Sequence, residues 1–268
     1  MQSDTMRPLA DFKISTLPNL KYIFTDVDDT ITSHGSLLPK VYESLCNLSD
    51  AGYKIIPVTG GPAGWCDCIL RMWPVKAIVG ESGAFYMHQV KTNEKIQTRH
   101  LITPSERVEY EKKLNRLKTD VQTQFPGISF ASDQFCRLYD LAIELSSVNK
   151  ELNSLESVKH YLIQSGLTIK ISSIHINTYF GNWDKLSTTK MLVSELWGLA
   201  LEQINEQCIF IGDSLNDESM FGFFNHSFGV ANVLKYKDQL KNKPKWVTNF
   251  PMGLGFIEIA NSILGIKN

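Results

Sequence analysis

No apolar run in the 268-residue chain approaches the roughly 20 residues needed to span a bilayer. A helical membrane protein is therefore not expected. Cysteine is scarce. The five cysteines, at 46, 66, 68, 136 and 208, are odd in number and have no framework spacing. Cys66 and Cys68 in "WCDC" form only a C-x-C, with no second Cys or His pair nearby, so they read as thiols on or near a packed helix rather than as a metal or redox site. Unpaired thiols point to a reducing, cytoplasmic compartment. An excess of positive charge is also missing: 27 Lys and Arg face 28 Asp and Glu, and the pI is about 6.6. A global basic face for nucleic acid is not expected. The opening "MQSDTMRPLADFK" has an early Asp and no apolar stretch, so it does not read as a signal peptide. No internal repeat and no low-complexity tract is evident, and nothing in the composition speaks to oligomeric state.

What remains is an ordinary mixture, 43% hydrophobic and 21% charged, long enough for one large or two smaller domains with a sizeable core. The first third alternates. "KYIFTD" reads as a strand, "LPKVYESLCNLSDAG" as a helix, "YKIIPVTG" as a strand, "GPAGWCDCILRMW" as a helix, and "AIVGESG" as a third strand. These strands are continuous apolar runs, the pattern of a parallel sheet covered on both faces. The last third resumes the rhythm with the helix "DKLSTTKMLVSELWG", capped by Asp184, and the strand "QCIFIGD". Short strands "SFGVAN" and "KWVTNF" and a helix "GFIEIANSIL" follow.

The middle differs. A charged helix at 105–124, which reads as a solvated face, precedes a strand in "RLYDLAIELS" and a helix in "ELNSLESVKHYLIQSG". Two adjacent antiparallel strands, "LTIKISS" and "IHINTYF", close the segment. The expected fold is α/β: a parallel-sheet core of residues 1–85 and 181–268, interrupted by an inserted α+β domain at 86–180.

Polar residues gather at the carboxyl ends of the core strands, where open parallel sheets bind ligands. "FTDVDDT" packs Asp26, Asp28 and Asp29 into four positions. Like charges this close raise one another's pKa, and a divalent cation relieves the crowding. Mg²⁺ takes oxygen ligands. Asp26 and Asp213 can each offer one, and a backbone carbonyl near Asp28 another. One carboxylate can then attack phosphorus while a second carries a proton to or from the leaving oxygen. Lys185 offsets charge, and the Thr59 hydroxyl with nearby backbone N–H groups, Gly60 included, holds phosphoryl oxygens.

The ordered set "DVDDT", "VTG", Lys185 and "GDSLND" resembles the four motifs of the haloacid dehalogenase (HAD) superfamily of phosphohydrolases, over about 20–84 and 181–264. The position of the insertion, between the second and third motifs, resembles a C2-type cap, and its α+β pattern resembles subclass IIB, which includes Cof-like, sucrose-phosphate and mannosylphosphoglycerate phosphatases. The resemblance implies a HAD-like Rossmannoid core with an inserted cap. It also implies a Mg²⁺-dependent phosphomonoesterase for a small, sugar-like phosphorylated metabolite, with a phosphosugar mutase or phosphotransferase, or an inactive binding protein, as alternatives. It makes Asp26 the nucleophile, Asp28 the acid and base, and Thr59 and Lys185 the phosphoryl contacts. Asp26, the Asp28 carbonyl and Asp213 become metal ligands, with Asp217 a ligand or its neighbour. Asn216 reads as either a site contact or a turn former, Asp29 as an exposed turn residue, Thr30 as loop support and Asn232 as structural. His175, Asn177 and Tyr179 share one face if their stretch is a strand, and that face either lines the cleft or is ordinary sheet surface. Trp65, Trp73 and Phe85 read as core. Two departures stand out: Gly61 follows "TG" where many relatives carry Arg, and "DKLS" replaces the frequent D-K-G.

Overall fold

A computed structural model describes residues 6–90, 95–148, 154–172 and 174–266. In chain order the elements are β1 (Arg7–Pro8), β2 (Tyr22–Thr25), α1 (Pro39–Asp50), β3 (Lys54–Pro57), α2 (Ala63–Met72), β4 (Ala77–Gly80), β5 (Phe85–Gln89), β6 (Ile96–His100), α3 (Pro104–Gln124), β7 (Leu141–Glu144) and α4 (Leu155–Gln164). They continue with β8 (Thr168–Ile171), β9 (His175–Tyr179), α5 (Lys185–Trp197), α6 (Leu201–Gln207), β10 (Cys208–Gly212), α7 (Glu218–Phe223), β11 (Ser227–Gly229), β12 (Trp246–Val247) and α8 (Met252–Leu264). The start of the helix expected in "ELNSLESVKHYLIQSG" and the last residue of "LTIKISS" lie outside the described residues.

Six strands form a parallel sheet in the order β1-β12-β11-β10-β2-β3. The apolar runs are buried on both faces, as their composition requires. Ile23, Ile55 and Ile209 pack with Val41 and Leu45 of α1 and Ile259 of α8 on one side. Tyr22, Phe24 and Phe210 pack with Leu192 of α5 and Phe221 of α7 on the other. Ile23, Phe24 and Phe210 are fully buried, and each such side chain contributes about 1.5–3 kcal/mol.

The third apolar run behaves differently from its neighbours. β4 meets the parallel sheet through one bridge, Val58 to Val79, and on its other edge pairs antiparallel with β5, which pairs antiparallel with β6. This hairpin was not visible in the sequence, because β6, "IQTRH", is mostly polar and its burial alternates only weakly. Phe85 and Met87 of β5 pack into the same cluster as Ile78 of β4. The remaining antiparallel sheet has the order β7-β9-β8, and its apolar face, with Leu141, Ile143 and Ile176, packs on Leu117 and Val121 of α3 and on Val158 and Leu162 of α4. The charged helix α3 buries only Tyr110, Leu117 and Val121, and a Thr103–Glu106 capping box starts it. Phe85 is core as expected, but Trp65 is 55% exposed and is not.

Candidate active site

The loop after β2 and the loop after β10 lie side by side because their strands are neighbours in register, Phe24 beside Phe210 and Thr25 beside Ile211. The Asp26 N–H continues the ladder onto the Ile211 carbonyl at 2.8 Å. Adjacent parallel strands thereby deliver Asp26 and Asp213 to one spot, although 187 positions separate them. Asp217 joins them from the turn that leads into α7. Its Oδ2 accepts from the backbone N–H of Asp213 (3.0 Å) and of Ser214 (3.3 Å). Gly212 makes room: a Cβ there would sit 2.5 Å from Asp217 Oδ2.

Carboxylate oxygens of Asp26, Asp213 and Asp217 all lie within 4.8 Å of one another. All three residues are buried, at 3%, 2% and 0% exposure. One buried ammonium faces them. Lys185, the first residue of α5, donates to Asp26 Oδ1 at 2.5 Å, to Asp217 Oδ1 at 2.8 Å and to Asn216 Oδ1 at 3.3 Å. Three carboxylates against one ammonium leave this pocket short of positive charge. Its donors are all oxygens, which is the preference of a hard divalent cation.

The electrostatics follow from that imbalance. Burial raises the Asp26 carboxyl to about 8, with Asp217 and Asp28 adding to the rise and Lys185 opposing it. Burial, then Asp26 and Asp217, push Asp213 well above the carboxylate range. Burial alone would lower Lys185, but Asp217 and Asp26 outweigh it and hold the ammonium protonated. The Asp28 side chain is not part of the trio. Its carboxyl is raised by burial, with Lys185 and then His175 opposing.

Thr59 sits at the end of β3, buried at 2% exposure. Its N–H reaches Val79 O, and its carbonyl accepts from Ser82 N–H. Its Oγ1 accepts from Gly61 N–H at 2.8 Å, which leaves the hydroxyl proton free to donate. The carbonyl of Gly60 is engaged by the inserted segment, by Arg137 Nη1 at 2.9 Å and Asn177 Nδ2 at 3.4 Å. Asn216 both accepts from Lys185 and shares a cleft with Ser82, Lys170, Asp184, Lys185 and Ser219. Lys170 reaches that cleft from β8 of the inserted segment.

Two residues, Asn232 and Glu81, have roles that the sequence did not disclose, and Asp29, read as exposed, is not. Asn232, read as structural, donates to Asp213 Oδ2 at 2.7 Å and to the Asp29 carbonyl at 3.1 Å, and accepts from Met252 N–H at 3.0 Å. It orients an acid of the cluster. Asp29 is half-buried, in the left-handed region at φ 56°, and its carboxylate accepts from His34 N–H. Thr30 Oγ1 lies 3.5 Å from Asp26 Oδ2. Glu81, fully buried, bridges the two parts of the chain. Its carboxylate accepts from Ala63 N–H at the start of α2 and from the N–H groups of Leu138, Tyr139 and Asp140. His175, Asn177 and Tyr179 do share a face of β9. His175 pairs with Glu144 at 3.3 Å, Asn177 reaches Gly60, and Tyr179 stacks on Trp183.

Among the described residues no helix is long and apolar enough to cross a membrane. All five cysteines are free.

Comparison with known proteins adds the following. No curated protein matches the chain. Among solved structures, the C-terminal domain of trehalose-6-phosphate phosphatase from C. albicans has a TM-score of 0.69 at 14% identity, covering 98% of this chain and 100% of that one. A HAD/Cof-like hydrolase from Plasmodium vivax has a TM-score of 0.68 at 16% identity, covering 95% and 100%. The sucrose-phosphatase from Synechocystis, solved with sucrose and phosphate, has a TM-score of 0.61 at 13% identity, covering 91% and 98%. The shared fold is a HAD-like parallel-sheet core with inserted antiparallel structure. A family model described as haloacid dehalogenase-like hydrolase matches residues 105–251, which include Lys185, Asp213 and Asp217 and exceed half the chain. With Asp26 bound to Lys185 and clustered with Asp213 and Asp217, the chain belongs to the haloacid dehalogenase-like hydrolase family.

Proposed function

We propose that the protein is a Mg²⁺-dependent phosphomonoester hydrolase acting on a small, sugar-like phosphorylated metabolite through an aspartyl-phosphate on Asp26. The observation that carries this reading is the buried convergence of Asp26, Asp213 and Asp217 around a single ammonium, Lys185. The oxygen donor set and the missing positive charge fit Mg²⁺. Asp26, Asp213, Asp217 and the Asp28 carbonyl are the groups that would hold it. Bound there, Mg²⁺ would keep Asp26 ionised and offset the charge of the transferring phosphoryl group.

The rest follows from the chain's own side chains. Asp26 attacks phosphorus, and the ester oxygen departs. Asp28, whose carboxyl burial raises toward the protonated form, gives that oxygen its proton. It then takes a proton from the water that hydrolyses the aspartyl-phosphate, so Asp26 and inorganic phosphate are regenerated. The Lys185 ammonium and the free Thr59 O–H hold phosphoryl oxygens. Within the inserted segment, α3, β7, α4, β8 and β9 form the lobe that would cap this site, and its polar sheet face carries Lys170, His175 and Asn177. The names of the similar structures, sucrose-phosphatase and trehalose-6-phosphate phosphatase, support a sugar phosphate as substrate class. The cytoplasm is the compartment proposed, from the free thiols.

The test is phosphate release over a panel of sugar phosphates, phosphoglycolate and nucleotides, with Mg²⁺ or with EDTA. Turnover should require Mg²⁺. Asp26→Asn should lower it about a thousandfold or more with the fold intact. Turnover unaffected by EDTA or by Asp26→Asn would end this mechanism. Conversion of a hexose phosphate to its isomer without net phosphate release would replace the hydrolase by a mutase.

A further inference from the structure

We infer that Arg137, a residue of the inserted segment, is a positioning residue that sets the Thr59 hydroxyl through a single peptide plane. The inference rests on the reading of Thr59 as a phosphoryl contact.

The peptide linking Gly60 to Gly61 is held at both of its polar ends. Its carbonyl oxygen accepts from Arg137 Nη1 at 2.9 Å and Asn177 Nδ2 at 3.4 Å. Its N–H donates to Thr59 Oγ1 at 2.8 Å. A hydroxyl oxygen that accepts a hydrogen bond has its own O–H turned elsewhere. The plane of this one peptide therefore decides where the Thr59 proton points. Two consecutive glycines flank that plane, and glycine offers the least resistance to a peptide flip. Local sequence does not fix it; an outside clamp is needed.

Arg137 is built as such a clamp. Its side chain is 1% exposed. Nε reaches Asp133 Oδ1 at 2.9 Å, and Nη1 reaches both oxygens of Asp140 at 3.0 Å. Asp140 in turn accepts from Asn177 Nδ2 at 2.5 Å. The guanidinium charge is thus matched by two carboxylates before it meets the Gly60 carbonyl, so it orients the loop instead of drawing an anion. The absence of a side chain at Gly61 has a place in this arrangement, since a Cβ there would stand 3.1 Å from Thr59 Oγ1. The inserted segment thereby takes part in assembling the phosphoryl-holding loop and does not merely cover it.

The test is a double-mutant cycle on the full chain, read as the Kd of inorganic phosphate with Mg²⁺ present and, separately, as kcat/KM for a phosphate ester. The variants are Thr59→Val, Arg137→Lys, and Arg137→Met combined with Asp140→Asn, which removes the clamp together with its fully buried carboxylate and leaves unpaired only the partly exposed Asp133; thermal melts report their folding. Thr59→Val should weaken phosphate binding about tenfold, and the Arg137→Met/Asp140→Asn pair about fivefold, the scale of one hydrogen bond. In the Thr59→Val background the paired change should have no further effect on phosphate binding. Arg137→Lys, which keeps a donor for Gly60, should recover part of the loss. If the two effects multiply, or if Lys rescues nothing while the fold is intact, the positioning role is wrong and the reading of Thr59 stands. If Thr59→Val leaves phosphate binding unchanged, the reading of Thr59 fails and this inference fails with it.

Discussion

Replacing Asp213 by Asn should make the metal-free protein more stable while removing its response to Mg²⁺. In the absence of a cation, three buried carboxylates share one ammonium, and their oxygens lie within 4.8 Å of one another. Two ionised carboxylates at that distance repel by about 3.5 kcal/mol at an effective dielectric of about 20. Part of this is relieved by proton uptake, so a net gain of about 1–3 kcal/mol is expected at about pH 8.5. The amide keeps an acceptor for Asn232 Nδ2. The gain must depend on pH. Asp26 and Asp213 have folded-state pKa values raised above their unfolded ones, Asp26 to about 8. A raised carboxyl contributes stability that is complete below the unfolded pKa and is lost as pH rises through the folded value. The wild type therefore loses stability as pH rises from about 4 through about 8, the Asp26 value, and the advantage of Asp213→Asn should widen over that rise. Urea unfolding in EDTA at about pH 5.5 and 8.5, repeated with Mg²⁺, measures all of it. A variant less stable than wild type in EDTA at the higher pH, or one still stabilised by Mg²⁺, would refute the reasoning.

Other outcomes follow from the same geometry. Lys185→Met should act in the opposite sense, destabilising the metal-free protein by about 3–5 kcal/mol in urea unfolding, because it strands Asp26 and Asp217 without a counter-charge; a loss under about 1 kcal/mol would contradict this. Mg²⁺ binding near neutral pH should release protons, since the Asp26 carboxyl is raised to about 8. Calorimetry in buffers of different ionisation heat reads that release, whose Asp26 contribution should decline as pH rises through about 8, and a release that does not change with pH would count against it. Glu81→Ala should cost about 3–4 kcal/mol, because it orphans the buried N–H groups of Ala63, Leu138, Tyr139 and Asp140 together; a cost within the range of a surface substitution would mean that water or a neighbour replaces the carboxylate.

The amino-acid sequence determined the parallel-sheet core and the membership of the acid site. The reason is local: "KYIFTD" and "QCIFIGD" each carry an apolar run that must be buried on both faces and end in a carboxylate, and parallel pairing brings such ends together. It also determined the helix start that presents Lys185, through the Asp184 cap. What only the tertiary structure decided lies where partners are far apart in the chain and carry no local pattern. Arg137 in "QFCRLYD" looks like a surface residue until it meets Gly60, 77 positions earlier. Asn232 gains a role only from Asp213 and from the Asp29 carbonyl, 203 positions away. Glu81 becomes a buried joint only because the turn at Leu138–Asp140 offers it three N–H groups. Periodicity records which face of an element is buried; it holds no record of which buried polar group will find which donor, and folding alone makes that assignment.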